Sequence, residues 1–123
     1  MTSFRKIAAG QLREALPKKW VLVDDERSLN TISKPTAVLS QRTLEPAAIA
    51  PLSFVDITLA LMVLSEHTDP VAAEDALDDL LVEALTAIGT LSGLTWISAT
   101  KVVHQDRYMG YEITTTATLQ LGV

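Results

Sequence analysis

The apolar periods along this chain predict an α+β fold: one largely antiparallel or mixed β-sheet of about four to five strands, with two α-helices packed on one face. Three observations carry it. An apolar stripe at helical spacing runs from Ala73 to Ile88, extended stretches with alternating apolar residues cover Leu52 to Leu64 and Tyr108 to Leu121, and a polar turn at Gln105-Asp106-Arg107 joins two such stretches as a hairpin.

The first element is a helix. Phe4, Ile7, Ala8, Leu12, Ala15 and Leu16 trace one face over about thirteen residues, with Ser3 as cap and Pro17 as stop. Trp20-Val21-Leu22-Val23 reads as a short strand, and the polar stretch from Asp24-Asp25-Glu26 to Lys34 has no period and reads as loop. Thr36 to Leu44 is the second strand. Glu45-Pro46-Ala47-Ala48-Ile49-Ala50-Pro51 ends it, because its two prolines cannot donate to a ladder. In Leu52 to Leu64 the residues Val55, Ile57, Leu59, Leu61 and Val63 are all apolar. That third strand, about thirteen residues against a usual length of about 5 to 6, is expected to project beyond the core that covers it.

The second helix starts at a definable residue. Asp69 is placed as N-cap, its carboxylate accepting from first-turn N–H groups, and Pro70 takes the first helical position, where no N–H is missed. Its stripe is Ala73, Ala76, Leu77, Leu80, Leu81, Ala84, Leu85 and Ile88, while Glu74, Asp75, Asp78, Asp79 and Glu83 lie mostly outside it; Gly89 is expected to close it as a left-handed residue. Burying Leu77, Leu81, Leu85 and Ile88 gives roughly 6 to 12 kcal/mol gross, before conformational entropy takes most of it back. Leu94 to His104, containing Trp96, and Tyr108 to Leu121 complete the sheet.

Composition narrows the function classes. At 123 residues the chain is expected to be a single domain, 1–123, too short for a cofactor domain beside a substrate domain. It has no cysteine, which removes disulfides, thiolate metal sites and cysteine nucleophiles, and fits a reducing cytoplasm. A net charge of −5 argues against gripping nucleic acid through its phosphates. No apolar run approaches the ~20 residues that span a bilayer, and Met1-Thr2-Ser3-Phe4-Arg5-Lys6 has no apolar signal core behind it, so neither a membrane nor a targeting segment is expected.

Chemistry-bearing groups are sparse. Glu66, His67 and Asp69 could ligate a metal or supply a base, but a solvated turn with a helix cap explains them. His104 with Asp106 reads as turn polarity. Ser98-Ala99-Thr100-Lys101 has the Ser-x-x-Lys spacing of some acyl-transfer enzymes, yet in a strand its serine and lysine point to opposite faces. Gly89 to Gly93 has the wrong spacing for a nucleophile elbow, and Asp24-Asp25-Glu26 reads as a solvated acidic turn. No catalytic residue, cofactor or metal is expected.

As an ordered set, these pieces resemble the tail terminator (tail completion) proteins of long-tailed bacteriophages and related prophages. The set comprises Ala15-Leu16-Pro17 before Trp20-Val21-Leu22-Val23, Lys34-Pro35-Thr36-Ala37-Val38-Leu39, Val63-Leu64-Ser65 and Thr68-Asp69-Pro70. The helix Ala73-Glu74-Asp75-Ala76-Leu77-Asp78-Asp79-Leu80 follows, then Leu94-Thr95-Trp96 and Tyr111-Glu112-Ile113. The resemblance spans nearly the whole chain and rests on shape more than on chemistry. It implies a structural subunit that assembles with itself as a ring, typically a hexamer, at the head-proximal end of the virion tail, after folding in the host cytoplasm. Such a ring stops polymerisation of the tail tube protein and presents a joining surface to a head-completion or connector protein, while DNA passes through the lumen without specific binding. Arg42, Glu45, Ile49, Leu52, Phe54 and Asp56 are the candidate assembly residues. Two alternatives stand beside it: another head–tail connector or neck protein, and a small α+β enzyme or ligand-binding domain with polar groups converging around His67 or His104.

Overall fold

The computed structural model describes residues 4–24, 32–46, 54–91, 93–104 and 106–120. Its elements are α1 (Phe4–Ala15), β1 (Val21–Val23), β2 (Thr36–Pro46), β3 (Phe54–Leu64), α2 (Pro70–Gly89), β4 (Thr95–His104) and β5 (Tyr108–Gln120). The strands form one sheet in the order β1-β2-β3-β5-β4. β1 lies parallel to β2; every other pairing is antiparallel. The fold is therefore α+β with a mixed sheet, and both helices pack on one face of it.

The registers align residues in rows across the strands. One row runs Leu39, Leu61, Ile113, Ala99; another runs Thr43, Thr58, Thr116, Thr95. Because side chains alternate across a pleated sheet, the first row belongs to the helix-bearing face and the second to the opposite, open face. On the helix side, Leu22, Ala37, Leu39, Ile57, Leu59, Leu61, Val63, Ile113 and Ala117 pack against Ala8, Ala9 and Leu12 of α1 and Leu77, Leu80, Ala84, Ala87 and Ile88 of α2. Near one end of the open face, Ile32, Leu64 and Tyr108 form a second buried cluster with Met62 beside it. There the Ile32 N–H donates to the Tyr108 hydroxyl at 3.3 Å, tying the chain between β1 and β2 to the sheet.

Both helices sit at a slightly different rotation from the one their apolar pattern suggests. In α1, Ala9 is buried and Ile7 is 46% exposed; in α2 the seam is Ala73, Leu77, Leu80, Ala84 and Ala87, with Leu81 and Leu85 half-buried on its flank. Each buried seam mixes small and large side chains: Ala8, Ala9 and Leu12 in α1, and Ala73, Leu77, Leu80, Ala84, Ala87 and Ile88 in α2. The end of α2 also differs. Gly89 stays helical, and Thr90 caps with ordinary φ −83° and ψ −13°. The Thr90 N–H and hydroxyl both donate to the Ala87 carbonyl, at 3.1 and 2.7 Å, so no left-handed residue is needed there. Among the described residues, the left-handed glycine is Gly93, φ +83°.

β2 continues past Leu44 through Glu45 to Pro46, which is partnered with Val55. As the last residue of its strand, Pro46 costs the ladder little. A bulge between Gln41 and Thr43 shifts the register of β2, and another between Trp96 and Ser98 shifts β4. β5 approaches β3 closely at Gly110, where a Cβ would fall 2.1 Å from the Val63 carbonyl oxygen; only glycine fits. The hairpin joining β4 to β5 turns through Asp106 at φ +57°, a left-handed conformation that aspartate tolerates better than most side chains. The sequence-predicted cap Ser3, the acids Asp25 and Glu26 and the final Leu121 lie outside the described residues.

Candidate assembly surface

At the junction of β3 and α2, the Asp69 backbone is extended (φ −73°, ψ 125°) and its Oδ2 accepts from the Ala72 N–H at 3.0 Å, with Pro70 opening the helix. Both residues have the capping role read from the sequence. Here they set the direction in which α2 leaves the end of β3.

The predicted assembly residues fall into two groups and a remainder. Arg42 occupies the bulge of β2 and reaches across the open face to Glu112 of β5, Nη2 to Oε2 3.4 Å. Glu45, Phe54 and Asp56 lie together at one end of the sheet, where β2, β3 and β5 run on past Thr95, the first residue of β4. Glu45 stands directly opposite Asp56, whose Oδ1 accepts from the Thr118 hydroxyl at 2.6 Å. Opposed like charges disfavour the pair, so this tip is held by its neighbours rather than by its own acids. Ile49 and Leu52 lie outside the described residues.

The acid–base groups weighed from the sequence are dispersed. His67 Nε2 meets Glu66 Oε1 at 3.2 Å, and the His67 N–H donates to the Ser65 hydroxyl at 3.2 Å. Glu66 Oε2 and His104 Nε2 are buried atoms with no hydrogen-bond partner among the described residues. Ser98 pairs with Thr114 on the open face, whereas Lys101 pairs with Tyr111 on the helix face and donates to Glu74 of α2; the two point apart. Glu74 raises the Lys101 pKa above its ordinary 10.5, chiefly through that hydrogen bond. Among the described residues, no group of three or more His, Cys, Asp or Glu side chains could hold a metal ion.

What sequence reasoning missed is how the two lateral edges of the sheet are built. Along β4 every residue is exposed or half-buried, with Trp96, Ile97 and Val103 outstanding. On the other side β1 covers only Thr36 to Val38 of β2, and Gln41 to Pro46 beyond it are all exposed. A signal for the first edge was present, since Thr95 to His104 lacks the clean alternation of a strand with one buried face. The shortness of β1 was read from the sequence, but not which residues of β2 it would pair with, because that pairing is long-range. No helix among the described residues is long and apolar enough to cross a membrane. No protein-family model matches the sequence, and no curated protein is significantly similar to it.

Proposed function

We propose that this chain is a structural assembly subunit of the tail-terminator kind. Copies of it form a ring, typically a hexamer, that caps the head-proximal end of a bacteriophage tail tube, ends tube polymerisation and offers a joining surface to the head-side connector. The observation that carries this reading is the placement of exposed apolar side chains on opposite lateral edges of one sheet: Trp96, Ile97 and Val103 on β4, Leu44 and Val21 on β2 and β1. A subunit with two different sticky sides associates head to tail, and a head-to-tail contact closes into a ring when its rotation allows. The tip carrying Glu45, Phe54 and Asp56 projects past β4 and is the candidate contact with the tube or the connector. A net charge of −5 per copy gives such a ring an acidic character, which lets DNA pass without sticking.

Light scattering and negative-stain imaging, with the protein alone and mixed with tail tube protein, test the reading. Rings in solution, or tubes capped at one end and halted in growth, are the expected outcome. A strict monomer that neither binds nor caps tubes overturns it.

A further inference from the structure

One row of the sheet joins the two sides of the subunit. Leu22, Ala37, Val63, Tyr111 and Lys101 are register partners from β1 across to β4, and a charged helix residue is tied to each end. At the β1 end, Arg13 of α1 donates from Nη2 to the Leu22 carbonyl at 3.3 Å; at the β4 end, Lys101 donates to Glu74 of α2. A carbonyl neutralises no charge, so that bond leaves Arg13 positive. Glu74, Asp75 and Asp78 line one small cavity with Lys101, so at the other end carboxylates outnumber the ammonium. The same imbalance runs through both helical segments. Residues 4–20 hold five basic side chains and one acid, whereas α2 holds five acids and no base. Glu83 is paired with Lys19 and Glu74 with Lys101, but among the described residues Asp75, Asp78 and Asp79 take part in no ion pair.

The two charges point outward on opposite flanks of the helix layer. Gln11, Glu14 and Ala15 border Thr90 and Leu91 at the end of α2, so the flank of α1 that carries Arg13 is the one turned away from α2, and helical spacing puts Gly10 and Lys6 on it as well. A Cβ added at Gly10 would meet nothing within 4 Å, so no contact inside the chain calls for glycine there, and its missing side chain leaves that flank flat enough for close approach. On the other side, the seal over the sheet stops short of β4. In the row Leu59, Thr115, Trp96 the first two are buried while Trp96 is 45% exposed, and Val103 on the same face is 60% exposed. Two helices, each ~10 Å wide, do not cover five strands spaced ~4.8 Å apart.

Resting on the ring reading above, we propose that the subunits join through their helix layers: α1 of one copy packs beside α2 of the next, setting Arg13 against Glu74, Asp75 and Asp78 and covering Trp96 and Val103 of β4. The occupant of the acidic flank is a second copy of this chain, because the chain itself carries the complementary basic flank at the same level of the sheet. Copies related by rotation about an axis along the strands keep their rows level, so the Leu22 end of one row meets the Lys101 end of the next. The contact is made by side chains and needs no hydrogen bonding between the two sheets.

Charge reversal tests this, with assembly read by native mass spectrometry in solution and by imaging of capped tubes. Arg13→Glu reverses one flank; Asp75→Lys with Asp78→Lys reverses the other. All three positions are exposed, and circular dichroism checks that each variant folds. Each variant alone should assemble at least tenfold more weakly than the wild type. The chain carrying all three substitutions, whose flanks are complementary again, should recover rings of the wild-type size. Full assembly by both single-flank variants, or no recovery in the combined chain, overturns the flank contact while leaving the ring reading intact; a monomeric wild type that ignores tail tubes overturns both. A second test does not weaken the contact. Arg13→Lys keeps the charge and supplies an amine, which a carbodiimide joins to a carboxylate in direct contact. Linked peptides should connect position 13 with Glu74, Asp75 or Asp78 in covalent oligomers. Within one copy the two ends of the row are four inter-strand spacings apart, ~19 Å, too far for a zero-length reagent. Linkage confined to monomers, or oligomers joined elsewhere, overturns the proposal.

Discussion

The two faces of the sheet are built from the same strands yet organised on different principles. The helix-bearing face is aliphatic, with Leu59, Leu61, Val63 and Ile113 sealed beneath α1 and α2. Much of the open face is polar: Thr43, Thr58, Thr116 and Thr95 form a row spanning four strands, and Thr114 stands between Ala60 and Ser98. One face holds the fold together by excluding water; the other keeps the strands paired while leaving the surface solvated. The contrast shows why edges matter here. Covering one face with two helices satisfies the core but does nothing for the lateral edges, and the apolar side chains exposed there belong to neither face's packing.

The largest expected effect comes from charging the seam of the covered face. Leu77→Asp puts an unpaired carboxylate where no water reaches and should cost more than about 4 kcal/mol, enough to abolish the cooperative transition in urea. Leu81→Asp, on the flank of the same helix, should cost about 1 to 3 kcal/mol and leave a folded protein. On the open face, Thr116→Val should stay within about 0.5 kcal/mol in the same assay. Equal losses at Leu77 and Thr116 would break the comparison between the faces.

Gly110→Ala comes next. Its Cβ would strike the Val63 carbonyl oxygen, so β5 must move off β3, at about 1 to 3 kcal/mol measured by denaturant midpoint. Then comes Tyr108→Phe, which removes the acceptor for the buried Ile32 N–H and should cost about 1 to 2 kcal/mol. Faster exchange of the Ile32 amide would locate the loss in the small cluster on the open face. The smallest effect belongs to Lys101 and Glu74 at the margin of the covered face. The folded lysine pKa lies above 10.5, so its contribution is fully present below that value and is lost as pH rises through the folded pKa. A slight destabilisation by Lys101→Met at neutral pH should therefore shrink in alkali, as read from thermal midpoints across pH.

The start of α2 was legible in the residues themselves, because Asp69 and Pro70 act through their own side chains and φ preference within one turn. The strands β3 and β5 and the β4–β5 hairpin were legible for the same local reason: alternation and turn chemistry are encoded over a few neighbouring positions. The helix seams were half legible. Periodicity identified a face, but choosing Ala9 over Ile7, or Leu80 over Leu81, depended on the rotation at which each helix packs on the sheet. The end of α2 at Thr90 rather than Gly89 turned on hydrogen bonds from one side chain and its own amide. Strand order, the parallel seat of β1 and the separation of β3 from β4 by β5 arise from pairings between distant parts of the chain. That β4 and β2 run in opposite directions follows from those pairings. Periodicity sets what each segment can bury; long-range contacts set which segments lie side by side.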